Sequence, residues 1–187
     1  MKTIEIEIPD GKKAEWINGV LTLVDEPKVD NRPVTERIKT FEDACNALGD
    51  ENILVQAYRT AESNTSGNQK DVSDVVAYLK LRIIAAALNE GWNPNFDGDE
   101  CRYYPWFYIY TKKEYEELDE DEKKECRVVG RSYSYANALG GVVYTYAHSA
   151  PSYSYTYYGS RLAFKTRELA EYCSKQFIDE WADFLFA

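Results

Sequence analysis

The sequence contains a single histidine, His148, and only four cysteines, which are far apart and form no Cys-x-x-Cys pair. Zinc sites are built mainly from these two residue types, so their scarcity argues against a zinc centre. The wide spacing also favours reduced side chains over a disulfide framework. We therefore predict four free thiols, at Cys45, Cys101, Cys126 and Cys173.

Long apolar runs are also absent. Nowhere do about eighteen apolar residues follow one another, as a membrane-spanning helix requires. The N-terminal stretch MKTIEIEIPDG contains no apolar signal region. We therefore expect no membrane association and a chain that is cytoplasmic as synthesised.

Basic residues are in deficit. Lysine and arginine number 22 against 32 aspartates and glutamates, which gives a formal net charge of −10. Binding to a nucleic-acid backbone needs clustered Lys and Arg, so this balance excludes that class of function. The acid is unevenly placed: residues 114–125 (EYEELDEDEKKE) hold eight carboxylates, whereas residues 131–158 hold none.

The residues that are present are those of a globular protein, with 44% hydrophobic and 29% charged side chains. Residues 1–26 predict an N-terminal β-hairpin, because Asn18-Gly19 stands between two apolar runs and both positions suit a tight turn. Residues 27–34 read as a polar, proline-bearing linker. Residues 35–187 are long enough for a single α+β domain.

Within that domain the periodicity predicts a mostly antiparallel sheet packed with two central helices and a C-terminal amphipathic helix. Helices are predicted from Thr35 to Gly49, over residues 71–90, over residues 112–126 and from Thr166 towards the C-terminus. Strands are predicted in RYYPWFYIY, at several places in residues 131–158 and in GSRLAFK. Pro105 predicts an edge position or a bulge for the first of these strands.

No motif for catalysis is convincing. Asn93, Asn95 and Asp97 match the first positions of a calcium loop, but the twelfth position is Tyr104 instead of a bidentate glutamate. His148 lies near two serines without a third group to orient it. Gly140-Gly141 alone does not make a phosphate-binding loop. We predict no catalytic residue, no cofactor and no metal.

Half of the sixteen tyrosines fall within residues 131–158, which we call the tyrosine tract. Alternation predicts short strands with phenols on one face and small residues on the other. These phenols either form the core or form a contact surface like an antibody paratope, which is also rich in Tyr and Ser. Burying all the hydroxyls would demand a hydrogen-bond partner for each, so we favour the surface. The predicted contact residues are Tyr133, Tyr135, Tyr144, Tyr146, His148, Tyr153, Tyr155 and Tyr157.

The tyrosine tract contains no Lys, Glu, Gln, Met or Trp, the five types that randomised adenines in an AAC-type codon do not yield. In this the chain resembles the variable proteins of diversity-generating retroelements. The resemblance implies a C-type-lectin-like scaffold that GSRLAFK closes with a fixed strand. The segments YYPWF and GSRLAFKTRELAEYCSKQF also resemble uncharacterised proteins from phages and mobile elements of gut Bacteroidetes.

Together these features predict a non-enzymatic recognition or display protein of a phage or mobile element, binding a protein or glycan ligand. A place on the virion and an oligomer are both compatible with this prediction. One alternative is an acidic adaptor or inhibitor that binds a basic host protein through residues 114–125. The other is an enzyme whose site joins His148 with distant carboxylates.

Overall fold

The computed structural model describes residues 6–26, 30–64, 73–94, 100–129, 140–151 and 160–186. For residues 125, 127–129, 140–146, 148–151, 160 and 186 it describes the backbone without the side chains. The chain divides into two compact units, residues 1–32 and residues 33–187. Each unit is described by itself below.

The first unit contains the predicted hairpin. Strand β1 (Lys12–Ile17) pairs antiparallel with strand β2 (Val20–Asp25). Asn18 and Gly19 have φ values of 51° and 79°, which confirms the tight turn predicted from this dipeptide. Residues 6–9, which the predicted hairpin of residues 1–26 includes, are not part of a strand, and residues 1–5 lie outside the described residues.

The second unit begins with two helices where the sequence predicts one. Helix α1 (Val34–Arg37) ends as Ile38 turns extended, and helix α2 (Phe41–Leu48) follows. The break occurs because Thr40 caps α2, accepting a hydrogen bond from the Asp43 amide while the Asp43 carboxylate accepts one from the Thr40 amide. Gly49 ends α2 with φ 83°, as predicted.

A third helix, α3 (Ile53–Asn64), was not predicted. The Asn52 side chain accepts a hydrogen bond from the Leu54 amide at its start. Helix α4 (Ser73–Asn89) confirms the long central helix, but its buried face differs from the prediction. Val75 is exposed, whereas Leu81, Ile84 and Leu88 are fully buried because helices surround the C-terminal half of α4.

A three-stranded antiparallel sheet forms from β3 (Cys101–Ile109), β4 (Arg127–Val129) and β5 (Gly140–Pro151), in the order β3-β5-β4. Pro105 lies on the edge strand, and the register shifts between Trp106 and Phe107, so both expectations for this strand are confirmed. The Tyr103 amide donates to Phe164, away from β5. By alternation Pro105 faces that same edge, where its missing N–H breaks no bond to β5.

Two short helices, α5 (Lys112–Glu117) and α6 (Glu120–Glu125), stand where one exposed helix is predicted. The C-terminal helix is likewise divided, into α7 (Arg167–Gln176) and α8 (Ile178–Phe186), with the change of direction at Phe177. The apolar stripe predicted for it consists of Leu169, Cys173, Phe177, Trp181 and Phe184; the first four are buried, and Phe184 is partly buried. Thr166 caps α7, as the predicted starting point implies.

The prediction of a strand in GSRLAFK is wrong. Residues Ser160–Leu162 form a 3₁₀ turn, and Phe164 makes an isolated bridge to Tyr103. Leu162, Ala163 and Phe164 are each at most 1% exposed. Three successive buried residues are incompatible with a strand that has one solvent face, which explains why a pattern of period two fails here.

The unit is α+β, as predicted, with helices outweighing strands. Helices α7 and α8 contact both the sheet and α4, and α4 also contacts α2 and α3. The core lies along these contacts, and its largest fully buried side chains are Trp181, Phe164, Phe177, Ile38, Leu81, Ile83, Ile84, Leu88, Leu162 and Val55. Among the described residues, no helix combines the length and the apolar character that crossing a bilayer requires.

Candidate recognition surface

The structure describes only the middle of the tyrosine tract, where β5 runs. Tyr144, Tyr146 and His148 belong to this strand, but of these three the structure gives the backbone alone. The remaining predicted contact residues lie outside the described residues; they are Tyr133, Tyr135, Tyr153, Tyr155 and Tyr157. Their role in binding therefore stays a prediction.

The pairing of β5 with β3 interrupts the predicted alternation. His148 lies opposite Tyr104 and Tyr146 lies opposite Trp106, but Tyr144 lies opposite Phe107. Trp106 and Phe107 are neighbours on β3, so their backbone positions face opposite sides of the sheet. The extra residue in β5 at the register shift therefore separates Tyr144 from Tyr146 and His148, which the alternation had placed on one face.

One side of the sheet is covered by the C-terminal helices. The rings of Phe107 and Trp181 lie 5.2 Å apart, and Tyr103 packs against the same core. Ala147 of β5 is 1% exposed and belongs to this core as well. The position of the tract's central strand is thus set by packing of α7 and α8 against small and aromatic residues.

The segment that follows the tract, residues 160–165, is attached to the core through its backbone, and we call it the flanking segment. Phe164 and Tyr103 exchange two main-chain hydrogen bonds, of 3.1 and 2.9 Å. From the other direction Asn89 donates to the Ala163 carbonyl at 2.8 Å and accepts from the Lys165 amide at 3.0 Å. Asn89 is 6% exposed, so both bonds are shielded from water.

Charged side chains add two further attachments. Arg167 donates to the Ala147 carbonyl at 2.9 Å, and its guanidinium lies 5.8 Å from the centre of the Tyr103 ring. Glu90 forms ion pairs with Lys165 at 3.2 Å and with Arg37. The ammonium of Lys165 is the largest cause that lowers the pKa of Glu90. These contacts connect α1, α4, β5 and the flanking segment.

The C-terminal end of β3 is exposed where it borders β5. Tyr108 and Ile109 are 49% and 47% exposed, and they lie opposite Val143 and Val142. The Tyr108 and Tyr110 rings are 4.6 Å apart. We call residues 108–110 the aromatic end of β3. Exposed aromatic and aliphatic side chains beside each other are typical of contact surfaces.

Helix α5 borders this aromatic end and contacts β5. Hydrogen bonds from the Thr111 amide and hydroxyl, and a further one from Tyr108, hold the pKa of Glu114 below its ordinary value. Glu114 is thereby fixed as an anion that closes the capping box of α5. The Tyr108 phenol is held in place at the same time.

The carboxylates of residues 114–125 interact mainly within helices α5 and α6. All four lysines of α5 and α6 form ion pairs with carboxylates of the same helix, over 2.7–3.9 Å. Asp119 and Glu122 form the capping box of α6, as Glu114 does for α5. Helix capping and local ion pairs thus account for seven of the eight carboxylates: those of Glu114, Glu116, Glu117, Asp119, Glu120, Asp121 and Glu122.

Several groups of the helical core have pKa values raised by burial. Burial raises the pKa of the Cys173 thiol to about 12, and burial is also the largest cause that raises the pKa of Glu180. A thiol with so high a pKa is protonated at neutral pH and is a poor nucleophile. Cys45 is buried with a raised pKa too, and no disulfide joins any of the four cysteines, all of which lie among the described residues.

The described residues contain no group of three or more His, Cys, Asp or Glu side chains placed to share a metal ion. The calcium-like stretch is only partly described, since residues 95–99 lie outside the described residues. Comparisons with models of known protein families, with curated proteins and with solved structures find no match to this chain.

Proposed function

We propose that this chain is a non-enzymatic recognition protein of a phage or mobile element, which binds a protein or glycan ligand through the tyrosine tract. The observation that supports it best is the attachment of the flanking segment. Its bonds to Asn89 and Tyr103 are made by main-chain atoms of residues 163–165, which lie outside the tract. These bonds therefore hold the flanking segment without using a phenol hydroxyl.

The central strand of the tract is held in a similar way. Arg167 bonds to the backbone carbonyl of Ala147, and β5 pairs with β3 and β4 through main-chain atoms. Main-chain bonds do not depend on which side chain the residue carries. Apart from the buried Ala147, the side chains of the tract can therefore be chosen for ligand contact without loss of these bonds, as in an antibody loop on its sandwich.

The aromatic end of β3 extends the proposed surface. Tyr108 and Ile109 are half-exposed and lie beside the tract's strand. A ligand that covers β5 would therefore also reach these two side chains. Tyrosine contributes large and stiff contact area at low cost in side-chain entropy, so a surface built this way suits many ligand shapes.

The acidic adaptor is the weaker candidate. Seven of the eight carboxylates in residues 114–125 already cap a helix or pair with a lysine. Exposed ion pairs of this kind contribute little energy, but they leave few carboxylates without a local role. The composition of the run is explained by the two short helices that it forms.

The test compares the wild-type chain with a variant carrying Tyr144→Ser, Tyr146→Ser and Tyr155→Ser. Both are immobilised and probed with a glycan array and with a displayed library of random peptides. We expect ligands that the wild type retains and the variant loses, while the melting temperature changes by only a few degrees. The matched control is Ile53→Ser on α3, a side chain that is 77% exposed and should not affect ligand binding.

A large fall in melting temperature of the triple variant would show that the phenols form core, and the proposal would fail. The display role has its own test, which is sequencing the gene in closely related strains. We expect substitutions concentrated in residues 131–158, at the predicted contact positions above all. Substitutions spread evenly over the gene would contradict display.

A further inference from the structure

The hairpin of the first unit has an unpaired edge on β1. Glu26 donates its amide to the Gly11 carbonyl at 2.8 Å, so residues 11, 13, 15 and 17 direct their main-chain groups towards β2. By alternation the main-chain groups of Lys12, Ala14 and Trp16 face away from β2, and of these the Lys12 amide already donates to the Pro9 carbonyl at 3.1 Å. Among the described residues β1 has β2 on one side and no strand on the other.

A two-stranded hairpin is at best marginally stable in water without further strands or a packed face. The described part of this unit buries little, because Trp16 is 74% exposed and Val20 is 63% exposed. An additional strand on β1 would satisfy the outward main-chain groups. It would also cover part of the Trp16 side chain.

We propose that this additional strand is β1 of a second copy of the chain, paired antiparallel about a two-fold axis at Ala14. The product is a continuous four-stranded sheet in the order β2-β1-β1-β2. Ala14, the smallest residue of the strand, lies on the axis, where the two copies face the same residue. The outward amides of Ala14 and Trp16 and the outward carbonyls of Lys12 and Ala14 then find main-chain partners.

This register brings opposite charges together. Lys13 lies opposite the partner's Glu15, and by symmetry Glu15 lies opposite the partner's Lys13. Within one chain these two side chains already share a face of β1, with the ammonium 2.6 Å from the carboxylate. They are 44% and 46% exposed, so both remain accessible to a second copy. Opposite charges directly across an antiparallel pair stabilise it.

The other face of the same register pairs an ammonium with an indole. Lys12 lies opposite the partner's Trp16, and Trp is the ring that attracts a cation most strongly. Lys12 is 42% exposed at its side chain, although it also pairs with Asp25 at 3.0 Å. A lysine on a strand edge usually opposes pairing with other chains. In this register Lys12 lies opposite Trp16 and Lys13 lies opposite Glu15 of the second copy, so both lysines favour pairing.

Other symmetric pairings lack this match. Centring β1 on Lys12 opposes two lysines, and centring it on Trp16 leaves Lys13 and Lys12 without counterparts. Pairing the copies through β2, about Leu23, sets Leu21 against Asp25. The pattern of charge along β1 therefore selects both the edge and the register.

The test is sedimentation equilibrium of the full-length chain, at concentrations up to about 1 mM, with Glu15→Lys as the variant. We expect the wild type to form dimers and Glu15→Lys to weaken them about tenfold or more, because Lys13 then faces a lysine twice. The net charge of the variant rises from −10 to −8, since one negative charge becomes one positive charge. General repulsion between copies would fall, which predicts the opposite change.

Exchanging the charges of Lys13 and Glu15 distinguishes loss of the dimer contact from damage to the hairpin itself. Lys13→Glu alone should also dissociate the dimer, whereas an equimolar mixture of Lys13→Glu and Glu15→Lys chains should restore it as a heterodimer. The double variant should dimerise like the wild type. Neither residue faces a charged side chain across the hairpin, as their partners on β2 are Val24 and Thr22. A wild type that stays monomeric, or a dimer indifferent to Glu15→Lys, overturns the proposal.

Discussion

Replacing Asn89 by alanine should lower the free energy of unfolding of the second unit by about 2–4 kcal/mol. The substitution removes two hydrogen bonds, to the Ala163 carbonyl and from the Lys165 amide. A typical bond contributes a net of about 0.5–1.5 kcal/mol, and a buried group left without a partner costs about 1–3 kcal/mol. Ala163 is 1% exposed, so its carbonyl bears most of this cost, whereas Lys165 is only half-buried.

The measurement is urea unfolding followed by far-ultraviolet circular dichroism. Helical signal reports on residues 33–187, because the described part of the first unit contains no helix. The midpoint should fall while the dependence on denaturant stays the same. The matched control is Asn46→Ala, on an exposed position of α2, which should change stability by no more than about 0.5 kcal/mol.

Asn89→Asp separates the two bonds. The carboxylate still accepts from the Lys165 amide but has no donor for the Ala163 carbonyl, and a buried charge adds its own cost. This variant should therefore be no more stable than Asn89→Ala. If the free energy of unfolding of Asn89→Ala is within about 0.5 kcal/mol of the wild-type value, then Asn89 does not hold the flanking segment, and the proposed attachment of that segment to the core is wrong.

Two further outcomes test the scaffold. Thr40→Ala removes the cap of α2 and should cost about 1 kcal/mol in the same urea titration, whereas an unchanged midpoint would contradict the capping box. Glu180→Gln tests burial: because burial raises the pKa of Glu180, the folded state prefers the protonated acid, and the wild type loses stability as the pH rises through that pKa. The variant should match the wild type near about pH 4 and gain on it towards about pH 7; a difference independent of pH would refute this cause.

Local signals in the sequence predict the parts of the fold that local energetics decide. Asn18-Gly19 specifies the hairpin because few other residues accept two successive positive φ values. Leu169, Cys173, Phe177 and Trp181 recur at helical spacing and all enter the core. The hairpin and this helical stripe can therefore be predicted from local sequence, without knowing which distant segments they contact.

The predictions of secondary structure are wrong where tertiary contacts or helix capping compete with the periodicity of apolar residues. The pattern from Thr35 to Gly49 fits one helix, but Thr40 and Asp43 cap each other and begin a second one. Helix α3 buries only Val55 and Tyr58 and exposes Ile53, so its apolar pattern is weak. The flanking segment is buried from both sides, and the sequence alone does not reveal that Asn89 and Tyr103 meet there.

The same limit applies to the candidate surface. The tyrosine tract stands out by composition, yet the register shift that separates Tyr144 from Tyr146 depends on pairing with β3. A bulge depends on how two strands pair, so the sequence of one strand does not predict it, although Pro105 favours a bulge nearby. Composition therefore predicts which segment forms the candidate surface, but it does not predict how the residues of that segment are distributed over the two faces of the sheet.

Tyrosines of the scaffold show what burying a phenol requires. Tyr172 donates its hydroxyl to the Ile38 carbonyl at 2.6 Å, and Tyr58 donates to the Glu62 carboxylate. Each partner is a strong acceptor supplied by a separate turn or segment, and loss of such a partner costs about 1–3 kcal/mol. The tyrosine tract offers no carboxylate and no glutamine to its eight phenols. A core made from them would have to supply an acceptor for all eight from backbone carbonyls, from Ser, Thr and Asn oxygens or from other segments, whereas water satisfies every hydroxyl at a surface, and a ligand can later replace that water.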